Sequence, residues 1–104
     1  MEDLVKITEG HIVKLKAEEQ ARVAAIDLVI EILQPFCEHY KITAQRDNQL
    51  TRCAFSNPSV GIIEHFTGNS DGTVQYARRP HPVEKACKLF AIEYGRMLYN
   101  IRSA

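Results

Sequence analysis

The stretch Val23-Ala24-Ala25-Ile26-Asp27-Leu28-Val29-Ile30-Glu31-Ile32-Leu33 decides the fold. Only Asp27 and Glu31 are polar, and they stand four apart. Four residues make about one helical turn, so both carboxylates share one narrow stripe. The rest of the circumference is apolar. A surface helix shows one apolar stripe, whereas a helix apolar nearly all round needs cover on several sides. The segment is therefore a central packing element. If the chain leaves Val29, Ile32 or Leu33 exposed, the missing cover is another chain.

Working outward, the helical pattern runs from Lys14 to about Gln34, where Pro35 interrupts it, because the residue before a proline is pushed away from helix. Residues 1–13 read as an arm or a short hairpin, but the hairpin's faces mismatch, and a helix starting near Thr8, or an arm leading into one, fits residues 4–16 slightly better. Ala17, Ala21 and Ala25 form a small-residue ridge at four-residue steps.

The middle of the chain alternates. A turn at Asp47-Asn48 sets Ala44 opposite Thr51, Ile42 opposite Cys53 and Tyr40 opposite Phe55. A turn at Asn57-Pro58 sets Phe55 opposite Val60 and Cys53 opposite Ile62. Closing the loop 68–72 sets Phe66 opposite Val74 and Glu64 opposite Tyr76. Directly opposed residues share a sheet face. Three separately placed turns thus agree on one inner face: Tyr40, Ile42, Ala44, Cys53, Phe55, Val60, Ile62, Phe66, Val74 and Tyr76. That agreement predicts a four-stranded antiparallel meander.

Pro80-His81-Pro82 ends the last strand and opens a final helix. Its core stripe is Val83, Cys87, Phe90, Tyr94, Met97 or Leu98, and Ile101. Cys87, Ala91 and Gly95 form a second small-residue ridge, predicted to pack near Ala17, Ala21 and Ala25, within the chain or across a dimer. The predicted fold class is α+β: a four-stranded antiparallel β-meander with an N-terminal and a C-terminal helix packed on one sheet face. At 104 residues the chain fits one domain, residues 1–104.

Composition narrows the functional classes. The apolar run is shorter than the ~20 residues a bilayer requires. Cys37, Cys53 and Cys87 are an odd number without disulfide-framework spacing. These features predict a cytoplasmic protein with reduced thiols and no membrane partner. The net charge is zero, yet residues 1–39 hold four Lys/Arg against eight Asp/Glu, and residues 40–104 hold nine against five.

Candidate chemistry is sparse. His11, Cys37, His39, Cys53, His65, His81 and Cys87 lack the paired spacing of a zinc site, so neither metal nor cofactor is expected. Asn69-Ser70-Asp71-Gly72-Thr73 resembles part of a calcium loop but lacks the acids at its first and twelfth positions, and reads as a plain turn. Glu64, on the inner face beside hydroxyls, and its neighbour His65 are the candidates for a small hydrolase or isomerase. Arg78, Arg79, Lys85 and Lys88 at the final helix start are the candidates for anion or nucleic-acid binding. The outer sheet face, with Leu50 and Ile63 beside Arg52 and His65, has the apolar centre and polar rim of a protein interface. The leading expectation is a small non-enzymatic protein-binding or regulatory module: an adaptor, an inhibitor or a homodimeric subunit. Nucleic-acid association through the basic edge is the first alternative, and chemistry at Glu64 and His65 the second.

Overall fold

The computed structural model describes residues 2–103, with side chains described for 15–61 and 63–97. Helix α1 spans Glu2–Tyr40. Of the alternatives for the segment before Lys14, the helix is the one formed, and it starts at Glu2 rather than near Thr8. The expected stop at Pro35 is also absent. Proline removes one backbone N–H, so the carbonyl of Glu31 loses its helical partner. Both Glu31 and Pro35 are exposed, and the exposed side of a helix is where a missing backbone bond costs least. The last turn is held from outside the helix. Asn57 Nδ2 donates to the Tyr40 carbonyl at 3.1 Å. Phe36 and Tyr40 pack edge-on against Tyr94, with ring centroids 5.4 and 5.2 Å away.

Five strands follow, β1 (Thr43–Arg46), β2 (Arg52–Asn57), β3 (Gly61–Gly68), β4 (Val74–Tyr76) and β5 (Arg79–His81), and the chain ends in helix α2 (Val83–Ser103). The sheet is antiparallel and its strand order is the sequence order. The α+β class and the meander stand as expected, with one strand more. The additional strand arises because Ala77 and Arg78, at φ 52° and 69°, make a two-residue hairpin turn. Such turns favour Asn-Gly, so Ala-Arg carries no turn signal. Pro80 lies opposite Gln75 on this edge strand, a place where a missing N–H is tolerated.

The registers differ from those expected. Ala44 pairs with Phe55 rather than Thr51. Asp47 closes a longer loop, since its Oδ1 accepts from the Thr51 and Arg52 amides at 3.0 and 3.3 Å. Cys53 pairs with Phe66 and Phe55 with Glu64. The ladder then slips by one residue at Phe55/Ser56, so that Ser56 pairs with Ile62. This bulge re-aims the strand and packs Ile63 against the core. Ile62, Leu98 and Ile101, all assigned to core faces by pattern, lie outside the described side chains.

Cys53, Phe55, Phe66, Val74 and Tyr76 from the inner sheet face bury against Ile26, Val29 and Leu33 of α1 and Ala86, Cys87, Phe90 and Tyr94 of α2. Phe55, Phe66, Tyr76 and Phe90 form a chain of ring contacts at 5.0–5.7 Å, within the range where aromatic pairs attract. The helices run parallel, because Phe36 meets Phe90 and Tyr40 meets Tyr94. Val83 begins α2 about 10 Å upstream of Phe90, whereas Ala17 lies about 28 Å upstream of Phe36. Ala17 therefore projects beyond the start of α2, and it is exposed. The two small-residue ridges do not pair along their length within the chain. A Cβ at Gly95 would meet nothing within 4 Å. The close approach is at Gly68, where a Cβ would fall 2.1 Å from the Arg22 carbonyl oxygen.

Candidate functional site

The outer sheet face holds only part of the set expected there. Arg52 pairs with Thr67 and Ala54 with His65, so Arg52 and His65 share that face as close neighbours, and both are exposed. Leu50 is exposed too, but it sits in the β1–β2 loop in the left-handed region, at φ 65°. The bulge has drawn Ile63 to the core. What remains around Arg52 and His65 is mainly polar: Thr67, Gln75 and the small Ala54.

Glu64 lies on the inner side, opposite Phe55. A cavity of about 110 Å³ opens beside it, lined by Ile63, Glu64, Tyr76, Phe90, Glu93, Tyr94 and Met97. Tyr76 donates its hydroxyl to Glu93 Oε2 at 2.5 Å. Burial, together with the two nearby carboxylates, pushes the Tyr76 hydroxyl well above its ordinary range. The cavity is smaller than the ~300 Å³ at which small-molecule pockets usually begin. Glu64 has another duty. The Gly68 N–H donates to Thr51 O, toward the β2 side. Strand alternation turns the His65 N–H the other way, where β4 has already ended its pairing at Thr67 and Gly68. Glu64 Oε1 accepts that N–H at 3.0 Å. The carboxylate thus caps a sheet edge, and its bond to residue 65 is to the backbone amide.

The four basic candidates divide between two surfaces. Arg78 lines an open depression of about 390 Å³ at the sheet edge with Glu64, His65, Thr67, Gln75, Tyr76 and Ala77. Arg79 is exposed on the edge strand. Lys85 and Lys88 are exposed on α2, turned from the buried Ala86, Cys87 and Phe90 that rest on the inner face.

Burial raises all three thiols, Cys53 to about 12 and Cys87 to about 11. Among the described residues no group of three His, Cys, Asp or Glu gathers as a metal site. The 69–73 loop closes on itself: Asp71 Oδ1 accepts from the Thr73 amide and hydroxyl at 3.0 and 2.5 Å. Those bonds hold the Asp71 carboxyl below its ordinary range. No described helix is long and apolar enough to cross a membrane.

A surface that the sequence pattern anticipated only on α1, through Ile32, lies on the outside of the helical layer. On α1, Val29 and Leu33 are buried, but Leu28 and Ile32 remain 41% and 38% exposed. One residue is about 100° of rotation, so the second pair faces outward. Asp27, Glu31 and Glu38, all exposed, lie along one edge of this stripe at four- and seven-residue steps. On α2, Ile92 is 44% exposed, on the side opposite Phe90 and Tyr94. Lys85, Lys88 and Arg96 share that side and are exposed. The signal was present in the sequence: Ile92 falls off the Val83–Cys87–Phe90–Tyr94 stripe, among cations.

Comparison with protein-family models, with curated proteins and with solved structures returns no match.

Proposed function

We propose that this chain is a small non-enzymatic protein-binding module whose contact surface is the outer face of the helical layer. The carrying observation is that Leu28, Ile32 and Ile92 stay about two-fifths exposed on the outside of the helical layer, while Ile26, Val29, Leu33, Phe90 and Tyr94 of the same helices are buried in the core. Apolar anchors inside a charged rim suit a protein contact. The alternatives have less behind them. The inner cavity at Glu64 is about 110 Å³, the larger depression of about 390 Å³ that Glu64 shares with His65 is wide open to solvent, and the Glu64 carboxylate is committed to an edge amide. Nucleic-acid binding by Arg78, Arg79, Lys85 and Lys88 needs one continuous basic face, and these residues divide between the sheet side and the helix side.

The test is native mass spectrometry of the chain isolated from its source cells. Complexes retained by the wild type should be lost from Leu28→Glu/Ile92→Glu and kept by Arg52→Glu/His65→Glu. Loss from the second pair alone would place the contact on the sheet face and sink the reading.

A further inference from the structure

We infer that the partner on the helical layer is a second copy of this chain, stacked so that α1 of one copy lies on α2 of the other. This rests on the contact surface proposed above and names its occupant. The argument is charge complementarity around the apolar anchors. The outer stripe of α1 carries Leu28 and Ile32 with an acidic edge, Glu31 and Glu38. The outer stripe of α2 carries Ile92 with Lys85, Lys88 and Arg96. Each stripe is wrong for itself and right for the other.

The two helices are parallel neighbours in one layer, so symmetry can satisfy both stripes at once. Place a twofold axis parallel to the helices, in the plane between two stacked layers. It sets α1 over the partner's α2, and α2 over the partner's α1, with helix directions preserved. The acidic edge of α1 lies on the side away from its own α2. Lys85 and Arg96 lie on the side of α2 away from its own α1. The operation brings these two edges together and leaves Leu28, Ile32 and Ile92 between them. The contact is isologous and closed, so it stops at two copies. A twofold axis across the helices would instead stack α1 on α1 and set acid against acid.

The experiment is light scattering on purified protein over a concentration series, at low and high salt. The wild type is expected to have twice the chain mass, with weaker association at high salt. Two variants each reverse one stripe: Glu31→Lys/Glu38→Lys, and Lys85→Glu/Lys88→Glu. Asp27 is spared because it holds Arg46. Each variant alone should dimerise at least about tenfold more weakly, since like charges then meet twice. An equimolar mixture of the two should recover a dimer as tight as the wild type, because both contacts become opposite-charge pairs again. Circular dichroism on each variant separates lost pairing from lost folding.

A wild type that stays monomeric throughout overturns the pairing. If the native complexes of that wild type still depend on Leu28 and Ile92, the contact surface survives and its occupant is another protein. A wild-type dimer that the basic-stripe variant leaves unchanged overturns the α1-on-α2 arrangement.

Discussion

A Cβ placed on Gly68 would lie 2.1 Å from the carbonyl oxygen of Arg22. The end of β3 and the middle of α1 therefore meet backbone to backbone, closer than any side chain permits. This contact sets how deeply α1 rests on the sheet. Gly68→Ala must push the helix away, because the obstructing atoms are main chain and cannot rotate aside. We expect a loss of about 2 kcal/mol or more in urea unfolding. The control is Gly95→Ala. Its new Cβ meets nothing within 4 Å, so it should stabilise by up to about 1 kcal/mol through helix propensity. Equal effects at the two glycines would refute the assigned close approach.

That contact also marks the limit of what the chain discloses before folding. A small-residue ridge at Cys87, Ala91 and Gly95 is easy to find, because helix periodicity announces it. Gly68 hides in a turn-like Gly-Asn-Ser-Asp-Gly run that already explains a glycine. Sheet faces were legible where registers were not. Alternation fixes which residues point inward, and sliding one strand by an even number of residues leaves every face unchanged. The β1–β2 and β3–β4 pairings slid in that way, so Ala44 still shares a face with Phe55 and Phe66 with Tyr76. The bulge at Phe55/Ser56 is an odd shift, and it is the place where face assignment failed, at Ile63. Leu50 left the sheet because Asp47 built a wider loop with its own carboxylate. The candidate contact surface was half legible. The over-apolar α1 announced a missing cover, but its basic counterpart on α2 was read as an anion site.

Arg46 ties α1 to the β1–β2 loop. It forms an ion pair with Asp27 and donates to the Leu50 carbonyl at 2.6 Å and the Val23 carbonyl at 3.4 Å. The ion pair itself is largely solvated, with the Asp27 side chain 58% exposed. Asp27→Asn should therefore cost only about 0.2–1 kcal/mol, and less at high salt. Arg46→Met removes the carbonyl donors as well and should cost about 1–2 kcal/mol, with only the ion-pair share, no larger than that in Asp27→Asn, weakening at high salt. Urea unfolding at two ionic strengths separates these terms. A strongly salt-dependent loss in Arg46→Met would show the carbonyl contacts to be unimportant.

The thiols make stability fall at high pH. In the fold, burial holds Cys53 up to about 12 and Cys87 up to about 11, against an ordinary 9.0. As pH rises past 9.0, the unfolded chain loses these protons while the folded chain keeps them. The unfolded state then binds fewer protons, so the unfolding free energy declines with pH. The decline should run from about pH 9 to 11 and be present in Tyr76→Phe, whose hydroxyl is removed as a second source. It should shrink in Cys53→Ala/Cys87→Ala, measured as the change from that variant's own neutral-pH stability. An unchanged slope in the double variant would assign the decline elsewhere.

Lys41 ends α1 in a conformation suited to glycine. Its φ is 58°, and the Ile42 N–H donates back to the Cys37 carbonyl at 2.9 Å. Together these make the left-handed stop in which the second residue past the helix bonds to its last turn. Ile42 is buried at 7% exposure, so the stop also steers an apolar anchor into the core before β1 begins. A lysine pays a steric penalty of about 1–2 kcal/mol in the left-handed region. Glycine avoids that penalty but loses about 0.5–1 kcal/mol more in chain freedom on folding. Lys41→Gly should therefore raise the unfolding free energy by about 0.5–1 kcal/mol, whereas Lys41→Val, branched at Cβ, should lower it. Thermal and urea unfolding of the pair check this. If glycine proves no better than valine, the left-handed stop at residue 41 is not what ends the helix.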